Sequence, residues 1–502
     1  MSVESVKVSI VASFVSRFLG ALAGIIAVPM YIEILGIESY GIIGFFITLQ
    51  ALVTLFDFGI GPTIIKEFSS SENKSAYQKL SDLAKACEWV YICVAFLIFL
   101  TLSFVIPWLV ENWIKIDQLN KSDVTDALLI GALALSIQWP VTLYSSGLIG
   151  LHKQLQLAIL SVVLLVARIG SVLLVISFIS PTIKYFFIVN LLYSCLQFGL
   201  FRWLMWQRLP KPNNWSSCKK RLFELRGFIG VMSGIALCSV LLTQLDKIIL
   251  SNLLSLKDFG VYSLVGVLAG GLYLVIAPIF SVIYPKFSSI ISSGKQKDVL
   301  AFYHKSAQLL SLILIPTMVV VGFFSEEIMY VWTGDSFISS NARWPLIFLV
   351  VGNALNGMMN VPYALQLAYG KPKLALINNL AAIAFLIPSI YYLATTYGIL
   401  GGAFAWLMLN LLYVLVSQYI THRYLITTDL LHWYWVDIGL PLLVCILNVS
   451  FFYFAMPEYL NRFELLFYLA MVFIESLIIV LLLLPEMRKI ALINLRFNRL
   501  GK

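Results

Sequence analysis

The sequence predicts an all-α polytopic membrane protein with about fourteen transmembrane helices, and three observations carry that expectation. Charged residues make up 12% of 502 positions, about half of the roughly 25% usual for a water-facing globular chain. Apolar residues reach 60%, and mean hydropathy is +0.92. The apolar runs are spread along the whole chain and not gathered into one anchor. The longest polar interval, Gln207 to Arg226, is too short for a soluble domain.

A helix crossing about 30 Å of hydrocarbon needs about 20 apolar residues. On that ruler the first half holds spans 9–33, 40–63, 86–110, 126–150, 155–180 and 183–206. Ala21-Leu22-Ala23 fits a small-x-small cleavage site, but Arg17 interrupts the apolar segment and the run continues to Ile34. The first span therefore reads as an uncleaved helix. Ser180-Pro181 alone separates the fifth and sixth spans. The second half holds 227–251, 259–284, 305–325, 344–369, 374–397 and 399–420, and two further spans follow at 433–454 and 463–484. Gly357 and Pro362 predict a bent or closely packed tenth helix.

Lys and Arg orient the bundle. With the N-terminus inside, outer loops hold only Lys115, Lys121, Lys184, Lys257, Arg343 and Arg462, and spans hold Arg17, Arg168 and Lys247. The rest of the 34 fall on cytoplasmic segments, including the Arg202–Arg226 loop and the Arg488–Lys502 tail. Under the positive-inside rule both termini are cytoplasmic. The net charge of +9 thus reflects topology, and no nucleic-acid partner is expected.

Catalytic signatures are missing from the sequence. There is no GxxxxGK[ST] loop, the outer loops are short, and the six cysteines show no CxxC spacing and read as small apolar residues. His152, His304, His422 and His432 fall at span ends or in loops without HExxH spacing, which suits an interface and not a metal site. Trp108, Trp113, Trp203, Trp206, Trp433 and Trp435 fall at span ends, where interfacial anchoring is expected.

Two short segments echo each other. Leu35-Gly36-Ile37-Glu38-Ser39-Tyr40-Gly41 opens the second span, and Leu254-Ser255-Leu256-Lys257-Asp258-Phe259-Gly260 opens the eighth. Both are polar connections ending in aromatic-Gly, and their placement predicts a parallel repeat of six-helix lobes with substrate between them. The expected domains are an N-terminal lobe (1–210), a basic cytoplasmic linker (211–226), a C-terminal lobe (227–424), and two additional helices with a basic tail (425–502).

The chain resembles the polysaccharide (O-antigen, Wzx-type) flippase branch of the MATE-like multidrug/oligosaccharidyl-lipid/polysaccharide flippase superfamily. In the first lobe the likeness runs through Pro29-Met30-Tyr31, Leu35-Gly36, Tyr40-Gly41, Phe56-Asp57-Phe58-Gly59-Ile60-Gly61 and Lys66-Glu67. In the second it covers Asp246-Lys247-Ile248-Ile249-Leu250, Phe259-Gly260-Val261-Tyr262-Ser263, Pro278, Tyr284-Pro285-Lys286-Phe287-Ser288 and Tyr397-Gly398-Ile399-Leu400-Gly401-Gly402-Ala403. The resemblance implies two lobes around a V-shaped cavity and alternating access. It also implies a non-enzymatic transporter in the bacterial inner membrane that turns an undecaprenyl-pyrophosphate-linked oligosaccharide, such as an O-antigen repeat unit of lipopolysaccharide, to the outer leaflet. Membrane lipid, a polysaccharide polymerase and chain-length proteins are the implied partners. No cofactor is implied, and coupling to a proton or sodium gradient stays open. The two helices after 430 go beyond the common twelve.

Charges inside a span cost at least about 2.5–3.5 kcal/mol at the centre, so each needs a reason. Arg17 lies about 12 Å into its helix at about 1.5 Å per residue, with Ser13, Gly20 and Gly24 on its face. Arg168 has Ser161 and Ser171 on its side. Either arginine is suited to hold pyrophosphate through its forked donors, or to pair structurally with a carboxylate or helix carbonyls. Asn353, Asn356, Asn360 and Tyr363 share one face of the tenth helix, where amides suit sugar hydroxyls or interhelical hydrogen bonds. Asp246 and Lys247 suit structure or gating. Asp57 suits a helix-end hydrogen bond more than proton coupling, and Glu475 suits ion coupling or a contact with a partner or another helix.

Three rivals stay open. A multidrug/cation antiporter of the same fold wants acidic cavity residues. A peptidoglycan-precursor flippase wants several cations in the first two helices. A membrane glycosyltransferase or polymerase wants carboxylates beside a sizeable outer loop.

Overall fold

A computed structural model describes residues 3–57, 60–69, 74–213, 240, 242–294, 296–426 and 430–490. Regular structure among them is helical, apart from an isolated bridge between Lys115 and Ser255. Thirteen helical stretches among the described residues are long and apolar enough to cross a membrane. The chain is a multi-pass membrane protein. The expected seventh span, 227–251, lies largely outside the described residues.

The chain divides into two compact units, Met1–Gly260 and Val261–Lys502. The first contains α1 (Val3–Leu35), α2 (Ile37–Val53), α3 (Ile60–Ser69), α4 (Lys74–Asn112), α5 (Lys121–Gln138), α6 (Val141–Gly150), α7 (Gln154–Phe178) and α8 (Ile183–Trp206). A ninth helix, α9, covers 242–253. The boundary between the units falls inside α10 (Leu256–Gly270). The second unit continues with α11 (Tyr273–Ser292), α12 (Gln296–Thr333), α13 (Ser336–Met358), α14 (Asn360–Ala368), α15 (Pro372–Tyr397) and α16 (Ile399–Leu412). Helical turns carry α16 on to Ile426, and α17 (Leu440–Phe454) and α18 (Arg462–Leu483) complete it.

Four spans expected as single helices are each built from two. The second leaves α-helical winding at a 3₁₀ turn, Thr54–Asp57, and beyond residues 58–59, which lie outside the described residues, α3 runs as an amphipathic helix burying Ile60, Ile64 and Phe68. The fourth breaks at Trp139-Pro140, where proline has no N–H for the helical ladder. The eighth breaks at Gly271-Leu272, and the tenth at Met359. Beside that last break Gly357 permits close packing: a Cβ there would sit 2.6 Å from Ile276 Cδ1.

In the first unit α1 packs along α7, α5 along α8, and α3 against α6. In the second, α12 is the central helix. It contacts α13, α17, α18 and a π-helical turn, Trp433–Gly439, that leads into α17. The capping box at Asn461 and Glu464 starts α18, and Asp335 starts α13 by accepting from the N–H groups of Phe337 and Ile338.

The two echoing heptapeptides meet in the first unit. A Cβ on Gly41 would lie 2.3 Å from the Leu256 carbonyl oxygen, and one on Gly260 would lie 2.4 Å from the Ile37 carbonyl oxygen. Only glycine permits this approach of backbone to backbone. Glu38 beside it accepts from the Asp117 and Gln118 N–H groups at 2.8 and 3.1 Å, fixing the start of α2 to the segment after α4. The aromatic-Gly pairs are thus packing surfaces, and they pack on each other.

Candidate functional site

Arg168 lies on α7 across the helix from its exposed apolar stripe, Leu155, Ile159, Val163, Val166 and Leu174. It is half-buried, makes no hydrogen bond or ion pair among the described residues, and has buried Tyr31 of α1 as its electrostatic neighbour. One turn before Arg168, Leu165 meets Gly20 of α1, where a Cβ would sit 3.2 Å from Leu165 Cδ2. Arg17 occupies α1 one turn before Gly20, and its side chain lies outside the described residues. Both arginine positions therefore flank one helix crossing. Gly24 opens onto space, since a Cβ added there would meet nothing within 4 Å. Ser171 beside Arg168 exchanges a 2.9 Å hydrogen bond with Tyr193 of α8.

A second constellation lies in the second unit, along α11 and the broken helix α13–α14. Asn353 is consumed by packing: its amide donates to the Ala269 carbonyl at 2.9 Å, and its oxygen accepts from Trp406 Nε1 at 2.8 Å. Asn356 donates to Asn410 Oδ1 at 2.9 Å and accepts from the Tyr273 hydroxyl at 3.0 Å. Asn360 turns its amide back onto the Asn356 and Gly357 carbonyls at 3.1 and 3.2 Å, and its oxygen accepts from no described residue. Tyr363 stacks on Phe280 (5.6 Å, 16°), which stacks in turn on Tyr284 (6.2 Å, 7°). Tyr273, Tyr284 and Tyr363 are exposed. The result is a stripe of stacked rings edged by amides, the combination that suits apolar sugar faces and their hydroxyl rims.

The remaining candidates lie elsewhere. Asp57 accepts from the Gly61 N–H at 3.3 Å and from the Tyr91 hydroxyl, a helix-end arrangement joining α3 to α4. Lys247 reaches Gln244 Oε1 at 3.5 Å within α9, and Asp246 is half-buried beside it. Glu475 is half-buried on α18, which packs on α12 and α17.

Glu88 was not visible as a centre in the sequence. Its side chain is 1% exposed, and one oxygen accepts from Arg202 Nε at 2.8 Å, the Tyr144 hydroxyl at 2.9 Å and Trp206 Nε1 at 3.0 Å. The other oxygen pairs with Lys85 Nζ at 2.8 Å. Lys85 is a neighbour of Glu88 on α4, but Arg202 is distant in sequence and reads there as a loop charge. Trp206 consequently serves a buried carboxylate, and Trp433 is fully buried, so neither is the interfacial anchor its place in the sequence suggests. His304 and His432 likewise depart from an interfacial role, because they converge on Asp437.

A family model described as "Polysaccharide biosynthesis protein" matches residues 6–291. The chain belongs to that family. Within the family's range lie Arg17, Asp57, Glu88, Arg168 and both aromatic-Gly segments. A curated relative, the Shigella flexneri "Putative O-antigen transporter", is 23% identical over 426 residues, spanning 83% of this chain and 98% of its own. Among solved structures, the lipid II flippase MurJ in an inward closed conformation is similar with a TM-score of 0.72 at 16% identity, covering 95% of this chain and 98% of its own. An inward-facing MATE family multidrug resistance transporter is similar with a TM-score of 0.64 at 14% identity, covering 80% and 94%. This polysaccharide biosynthesis family member thus shares the fold of polytopic flippases and transporters.

Proposed function

We propose that this chain flips an undecaprenyl-pyrophosphate-linked oligosaccharide, such as an O-antigen repeat unit, from the cytoplasmic to the outer leaflet of the bacterial inner membrane. It acts as a transporter and not as an enzyme, with both termini cytoplasmic, and it hands its product to a polysaccharide polymerase and chain-length proteins. The observation that carries this reading is Arg168: a half-buried guanidinium inside a span, with no carboxylate partner among the described residues. Such a cation is costly unless an anion meets it, and its forked donors match a pyrophosphate.

In this mechanism Arg168, with Arg17 one helix away, holds the pyrophosphate by charge-assisted hydrogen bonds. Within the second unit, Asn360, Tyr363 and the ring stack with Phe280 and Tyr284 offer amide and ring contacts suited to sugar. The polyprenyl tail stays in lipid, because drawing that much apolar surface into a polar path is unfavourable. Family membership and the relative's description support the cargo class.

Deletion of the gene followed by analysis of lipid-linked intermediates tests the proposal. Complete repeat units should accumulate on the cytoplasmic face while surface glycan is lost. Failure to make the units at all would reject transport in favour of an enzyme.

A further inference from the structure

Asp437 has no exposed surface and lies in the π-helical turn Trp433–Gly439. Its Oδ2 is 2.5 Å from His304 Nδ1 on α12, and its Oδ1 accepts from Gln308 Nε2 at 2.8 Å. Gln308 is itself oriented, since its Oε1 accepts from the Glu486 N–H at 2.8 Å. His432 adds a second imidazole, its ring 4.4 Å from that of His304 at 70°. The π turn makes this possible. On an α-helix, residues five apart point roughly 140° from each other at 3.6 residues per turn. The wider i→i+5 winding of a π turn instead brings His432 and Asp437 toward one side, and such turns recur at functional sites.

One donor atom from each of His304, His432 and Asp437 lies within 4.8 Å of the others. Packing does not explain the cluster. His304 Nε2 is buried without a hydrogen-bond partner among the described residues, in a residue only 9% exposed. A histidine–carboxylate pair would be complete without the second imidazole, whose ring nevertheless lies 4.4 Å from the first. A cation shared by the three groups accounts for both imidazoles and for the unpartnered nitrogen.

We propose that His304, His432 and Asp437 form a binding site for a divalent transition cation, with Zn²⁺ the best match. Two imidazoles and a carboxylate suit zinc and its neighbours, whereas magnesium and calcium prefer all-oxygen shells. Three protein donors leave a fourth tetrahedral position open. Exposed His432 gives the ion a route from solvent, and Gln308 supplies the outer hydrogen bond that orients a ligating carboxylate. The bound cation ties α12 to the start of α17. The site is independent of the cargo, so it stands or falls apart from the flippase proposal.

The test uses chelator-washed, full-length protein in detergent, titrated with Zn²⁺ alone and separately with Co²⁺. The expected result is one tight Zn²⁺ per chain and a visible Co²⁺ spectrum of a four-coordinate site. His432→Ala removes only an exposed ligand and should leave the gel-filtration profile unchanged while weakening binding more than tenfold. Gln308→Leu should weaken it about tenfold through the carboxylate's lost support. Absence of stoichiometric binding, or equal affinity in wild type and His432→Ala, overturns the proposal.

Discussion

Glu88→Ala should be among the most destabilising single changes in the first unit. The carboxylate is 1% exposed and accepts from Lys85, Arg202, Tyr144 and Trp206. Its two cationic partners are 31% and 46% exposed, so they can turn to water, and each contributes only about 0–1 kcal/mol. The Tyr144 hydroxyl and Trp206 N–H have less freedom, and losing their acceptor costs about 1–3 kcal/mol each. Together these give about 2–8 kcal/mol, a span that contains the roughly 3–5 kcal/mol for breaking one side of a buried ionic cluster. Glu88→Gln keeps an oxygen for both neutral donors and should cost about half as much. Arg202→Ala leaves Glu88 with three donors and should cost least, about 0–1 kcal/mol. Thermal unfolding of a fluorescent fusion in detergent, read by gel filtration, gives the order directly. Equal stability of wild type and Glu88→Ala, or a larger loss in Arg202→Ala, would refute this account of the cluster.

Other substitutions separate packing from transport. Gly41→Val forces a side chain against the Leu256 carbonyl, so it should destabilise by about 1–3 kcal/mol and reduce surface glycan. Gly24→Ala meets nothing within 4 Å and should do neither. Asn353→Ala strands Trp406 Nε1 and the Ala269 carbonyl and should lower stability by about 1–3 kcal/mol. Asn360→Ala should leave thermal unfolding nearly unchanged yet slow glycan export. Asp57→Asn keeps one acceptor oxygen, enough for the Gly61 N–H, while its amide N–H can donate to the Tyr91 hydroxyl oxygen. It should support normal export in a complementation assay, and loss of export with intact folding would point to proton coupling instead.

The helical, multi-pass architecture was legible in the sequence because burial in lipid leaves its mark on every span. The break between the fifth and sixth spans was equally legible, since Ser180-Pro181 separates α7 from α8. Interruptions inside spans were harder to see. Trp139-Pro140 and Gly271 are helix breakers in plain sight, but an apolar ruler passes over them because their neighbours remain apolar. Single residues divide along the same line. Arg168 stands out because a charge in an apolar run is conspicuous. The role of Asn353 depends on Trp406 and Ala269, which no local pattern links to it. Glu88 looks like an ordinary helix-end charge until α8 brings Arg202 and Trp206 to it. His304, His432 and Asp437 meet only through a π turn, whose spacing matches no familiar motif.

The most direct measurement of the central claim is flipping in vesicles of defined composition. Purified wild-type protein, Arg168→Lys and Arg168→Ala are each reconstituted with an undecaprenyl-pyrophosphate-linked oligosaccharide. Movement to the opposite leaflet is read by its exposure to an added glycan-cleaving enzyme. Wild type should move the lipid well above protein-free vesicles, Arg168→Lys should retain part of that rate, and Arg168→Ala should fall near the background. Equal rates in wild type and correctly folded Arg168→Ala would contradict a guanidinium-held pyrophosphate.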